Sequence, residues 1–195
     1  MYIAMLTAFL LVLAASAVVT LYRAYRAIST SPTAVAPQEF MRFLTFGAVR
    51  DRKFRTTSLA FHIAIITSLM GHLFIFVKDV PTTLSKAGMA IGLVALASLI
   101  ALIVRRIFTG DVLAVSLIAL ATVLTGTMLG FVAPRDYLVE IALSMPTSFD
   151  LATALLLIHV ACASALAAAL PITSMCHITA VITYFVYKLR RRQHF

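Results

Sequence analysis

Charge is what this chain has least of. Charged residues make up 12% of its 195 positions, and only seven of them are acidic. That is too few to clothe an ordinary soluble domain. None of the carboxylates lies deep within a long apolar run, which weighs against a transporter that relays protons or metal ions through acidic partners at membrane depth. Cysteine is scarce too. Cys162 and Cys176 fall on one expected helix, about 21 Å apart by helical rise, so they cannot bridge each other. Repeats, low-complexity tracts and loops long enough to fold alone are also missing, which leaves function inside the apolar segments or at their ends.

What is abundant is hydrophobic length. The chain is 62% hydrophobic, with a mean hydropathy of +1.04. A lipid hydrocarbon layer of about 30 Å takes roughly 20 apolar helical residues to cross. Five runs reach that length, at 3–21, 59–77, 87–104, 112–132 and 151 to about 187. The fifth is too long for one straight crossing and has Pro171 in its middle, so it is expected to bend or project past the lipid. The first has no basic segment before it, and Arg23 and Arg26 follow it, so it reads as a retained anchor and not as a cleaved signal. The expected fold is all-α, one membrane-embedded domain over 1–195 with five transmembrane helices, in the cell membrane.

Orientation follows from the basic residues. With the N-terminus outside and the C-terminus inside, Arg23, Arg26, Arg42, Arg50, Arg52, Lys53, Arg55, Arg105, Arg106, Lys188, Arg190, Arg191 and Arg192 all face inward. Only Lys78, Lys86 and Arg135 are left outside, the arrangement that the positive-inside rule requires. The formal charge of +9 is therefore explained by topology and anionic lipid, with no nucleic-acid-reading module. The inner-side loop 26–58 carries a short stretch, 39–46, suited either to lie on the membrane surface or to dock a partner; a basic tail follows at 188–195.

Polar side chains are costly in lipid, so those inside spans point to a partner, a cavity or a cofactor. Four of the five histidines are intramembrane: His62 and His72 on the second run, His159 and His177 on the fifth. A lone histidine there can simply hydrogen-bond a neighbouring helix. Two helices each offering two imidazoles supply what a pair of bis-histidine haems requires. Met175-Cys176-His177 lacks the first cysteine of a C-x-x-C-H attachment site, which favours b-type over c-type haem. The two helices run in opposite directions, so His62 pairs with His177 on the inner side and His72 with His159 on the outer. His159 and His177 share one helix face about 27 Å apart, whereas His62 and His72 are about 15 Å and about 80° apart, so the helices cannot both be straight and parallel. Gly71 and the alanines after His159 would admit a macrocycle, and suit close helix packing equally well.

These stretches resemble the cytochrome b gamma subunit of respiratory nitrate reductase. The resemblance is carried by Phe61-His62-Ile63 through Met70-Gly71-His72, and by Leu157-Ile158-His159 through Pro171-Ile172-Thr173-Ser174-Met175-Cys176-His177. Both histidine spacings agree with that family's haem ligands, and Thr109-Gly110-Asp111-Val112-Leu113 resembles the start of its fourth span. Ser174 stands where many members have a basic residue. The resemblance implies a quinol-oxidising membrane subunit that takes electrons at the outer haem (His72, His159) and passes them by the inner haem (His62, His177) to an iron–sulfur partner. A further catalytic subunit, of molybdenum type, would complete the complex. It also implies a quinone-site lysine near the outer haem, for which Lys86 is the candidate and Lys78 the alternative. Arg105 and Arg106 are candidates for inner haem propionates, or serve orientation alone. Related cytochromes of heterodisulfide or sulfur-compound reductases, some reducing quinone, share these features.

Overall fold

A computed structural model describes residues 2–30, 51–77, 79–109, 114–143 and 149–173. Among them the chain is all-helical: α1 (Tyr2–Thr30), α2 (Arg52–His72), α3 (Thr82–Thr109), α4 (Ala114–Val132), α5 (Arg135–Leu143) and α6 (Leu151–Thr173). Three stretches are long and apolar enough to cross a membrane: Thr82–Phe108 in α3, Ala114–Val132 in α4 and Leu151–Ala169 in α6. α1 carries a shorter apolar stretch, Thr7–Arg23. In α2, basic residues fill the first turn and two imidazoles interrupt the apolar face. The α-helix ends at His72, and the expected run to Val77 is completed by a 3-10 turn, Leu73–Phe76.

The packing inverts that of a soluble protein. Large apolar side chains face outward, with Leu11 66% and Phe108 86% exposed, while the interior holds Ala64, Ala95, Ala152 and Ala167 beside Ser58, Ser116, Thr125 and Thr127. Lipid is as apolar as leucine, so helices gain by bringing small residues together and letting backbones approach. Two buried hydroxyls of α4 find acceptors locally: Thr125 donates to the carbonyl of Ala121 at 2.8 Å and Thr127 to that of Val123 at 2.8 Å. This meets the demand that polar groups be satisfied without water.

α2 packs on α3, α3 on α4, α4 on α6, and α1 on α6. Ala95, Leu99 and Ile103 form a buried stripe at four-residue intervals along α3, the spacing of one helix face. Gly92 and Gly130 let α3 and α4 close in. A Cβ on Gly92 would stand 3.2 Å from the Thr127 hydroxyl, and one on Gly130 would meet Met89 at 3.7 Å. α2 and α6, which carry the histidines, have no extensive contact with each other.

Each end has its own ties. Asp51 caps α2, accepting from the Lys53 and Phe54 amides at 2.9 and 3.3 Å. Its other oxygen meets Arg105 at 2.7 Å, and that guanidinium lies 4.0 Å over the Phe54 ring. On the α6 side, Arg23 donates to the carbonyl of Pro171. α5 was not expected from the sequence and occupies the connection between α4 and α6. There the Tyr137 hydroxyl donates to Asp150, which also accepts from the Thr153 amide at 2.8 Å and so caps α6. The stretch 39–46, the basic tail and the continuation of the fifth run lie outside the described residues.

Candidate functional site

His72 is the last residue of α2 and His159 lies in the body of α6. Their rings come face to face, with centroids 6.1 Å apart and planes 11° from parallel. They reach across helices that hardly touch, so the imidazoles, not the backbones, close the gap.

Hydrogen bonding sets the tautomer of each ring. His72 Nδ1 is 2.8 Å from the Ser68 carbonyl. His159 Nδ1 is 3.0 Å from the Thr122 carbonyl and 3.2 Å from the Thr125 hydroxyl. A carbonyl oxygen only accepts, so both Nδ1 atoms carry the proton and both Nε2 atoms keep a lone pair. Metal-bound histidines show this pattern, in which the outer nitrogen donates to a carbonyl and fixes the ring's orientation. His62 repeats it, with Nδ1 2.7 Å from the Ser58 carbonyl and the Phe61 ring edge-on at 5.4 Å.

The His159 ring is seated on α4. A Cβ at Gly126 would stand 2.8 Å from its Cε1 and 3.2 Å from its Nδ1, so only glycine leaves the imidazole its place. Gly126, Thr122 and Thr125 therefore belong to the site, and sequence reading missed them. Their signal was present as the four-residue spacing of Gly126 and Gly130, and as three threonines at 122, 125 and 127 in an otherwise apolar span.

The donor set narrows what the pair can hold. Among the described residues no third histidine, cysteine or carboxylate joins it, so a zinc site of three or four protein ligands is not assembled here. Two facing imidazoles suit an iron whose other four ligands come from a macrocycle. A Cβ at Gly71, beside His72, would meet nothing within 4 Å, so the flank of that ligand is open. The residues present fit a bis-imidazole haem.

Other candidates fare differently. Lys86 sits exposed in the first turns of α3. Arg105 is engaged with Asp51, and Arg106 donates to the Ser116 hydroxyl at 2.6 Å. His177 and Lys78 lie outside the described residues. No family model, no curated protein and no solved structure matches the chain.

Proposed function

We propose that this protein is the membrane anchor and electron-transfer subunit of a respiratory oxidoreductase of the nitrate reductase gamma type. In this reading it crosses the cell membrane five times with its N-terminus outside, oxidises quinol at the outer side, and delivers electrons to an iron–sulfur partner and a catalytic subunit. The observation that carries it is the facing pair His72 and His159, each with its Nδ1 proton committed and its Nε2 lone pair available.

Two b haems, when bound, supply one-electron transfer with no open coordination site for substrate. The protein's part is ligation, orientation and burial. His72 and His159 hold the outer group, His62 and His177 the inner. Thr122, Thr125 and Gly126 keep the His159 ring in register. Apolar helix faces exclude water from the iron ligands, and Lys86 at the outer end of α3 offers a charge to the oxygen of a quinol headgroup.

An absorption difference spectrum of the purified protein tests this. Reduced-minus-oxidised bands of two b haems are expected, with one lost in His72→Ala and in His159→Ala, and the other in His62→Ala. A colourless but folded protein would overturn the reading. Reduction of the haems by menaquinol then tests the direction of electron flow.

A further inference from the structure

We infer that α5 is a brace across the outer end of the molecule, and that Arg135 and Tyr137 are positioning residues for the His72–His159 pair. Among the described residues α2 and α6 share no extensive contact, and the packing between them runs through α3 and α4. Slack at any of those interfaces would change the distance between the two rings. At the outer end, α5 ties both helices at once.

On one side the Arg135 guanidinium donates to the carbonyls of Phe74 and Val77, the latter at 2.7 Å, and also reaches the exposed Asp136 at 3.1 Å. These carbonyls belong to the turn that leaves His72. Both carbonyls are met by one nitrogen, Nη2, while Nη1 reaches Asp136; carbonyls at a helix C-terminus carry partial negative charge, which favours a cation there. The Arg135 side chain is only 21% exposed, so these acceptors offset its desolvation. On the other side, two residues along, Tyr137 holds Asp150 at the start of α6. Tyr137 and Leu138 also pack with Ile141, Ala152 and Leu156, and Leu156 lies one turn before His159. The brace thus runs from the turn after one imidazole to the turn before the other.

The functional consequence rests on the haem reading, but the brace itself does not, and two measurements separate them. The first uses the full chain with Cys162 and Cys176 replaced by serine, and with Leu73→Cys and Leu151→Cys placed at the outer ends of the two helices. Bis-maleimides of graded length should couple these thiols over a narrow range of lengths, and over a wider, longer range when Arg135→Met or Tyr137→Phe is added. An unchanged range in both variants would overturn the brace, whether or not haem is present. The second follows the haem that His72→Ala abolishes. Its midpoint potential and electron paramagnetic resonance signal should shift in Arg135→Met and in Tyr137→Phe, while the other haem stays unchanged. Arg135→Lys keeps the charge and a nitrogen able to donate to both carbonyls, and should restore part of what Arg135→Met loses. Movement in neither Arg135→Met nor Tyr137→Phe, or equal movement of both haems, would overturn the positioning role.

Discussion

The two ends of this bundle are held by different chemistry. Where α2 starts, the tie is charged and exposed: Asp51 joins Arg105, which stacks on Phe54. Where α2 stops, Arg135 and Asp150 also bring charge, but the histidine pair itself is held by neutral hydrogen bonds to Ser68, Thr122 and Thr125 and by the shape of Gly126. Exposed ion pairs are weak and salt-sensitive. His72 is exposed, whereas His159 is seated against Gly126 and Thr125 of α4, where close packing allows little displacement. The structure therefore spends rigidity where two rings must face each other at a set distance, and uses adjustable contacts where helices emerge into water.

Gly126→Ala should break this comparison most severely. The added methyl would lie 2.8 Å from the His159 ring; under the proposed haem reading, haem per protein should fall from two to one. Gly88→Ala, where the methyl meets nothing within 4 Å, should keep both. Thr125→Val should act less strongly. It leaves the Thr122 carbonyl as an acceptor for His159 but removes the hydroxyl, and loss of such an outer partner typically weakens metal affinity about 10–100-fold. A haem-release assay on the His159-dependent haem measures it, and no change would assign His159's orientation to Thr122 and Gly126 alone.

The smallest effect should come from pH and salt. Hydrogen bonds from the Phe54 and Lys53 amides, with the Arg105 charge, hold the Asp51 carboxyl below its ordinary range. A carboxylate depressed in the folded state contributes stability that is present above its unfolded value and is lost as pH falls through the folded one. The Tyr137 hydroxyl and the Thr153 amide likewise lower Asp150 at the outer end, while Tyr137 itself is raised by that same carboxylate. Both ends should thus loosen in acid. Salt distinguishes them: at neutral pH, raising ionic strength should lower thermal stability through the Asp51–Arg105 pair, and Asp51→Asn should reduce that salt response, leaving the share of the Arg135–Asp136 pair. Tyr137→Phe should leave it intact.

Much of the helical order was legible because lipid makes a simple demand. Apolar length marked α3, α4 and α6, with ends shifted by a few residues: α3 begins at Thr82 and places Lys86 on the helix, ahead of the expected start at 87. Chain direction placed His72 and His159 toward the same end, and their ring centroids are 6.1 Å apart. α5 was not legible. Its nine residues, Arg135–Leu143, mix charged with apolar side chains and gain their stability from contacts with Ala152 and Asp150 that are distant along the chain. Short helices depend on such packing more than on propensity. Gly126 was legible only in part, since a glycine in a span signals close approach without naming what approaches.

Sequence by itself determined the solvent, the apolar helices and the scarcity of charge, because each residue's transfer free energy into lipid is a local property. It also determined which residues could ligate a metal. Only the tertiary structure decided that α2 and α6 stand apart, that α4 supplies the seat for His159, and that α5 contacts both the turn after His72 and the start of α6. Those features depend on which small residues meet across helices and on where a single guanidinium finds its carbonyls. Such choices are made by contacts between distant segments, and no local pattern encodes them.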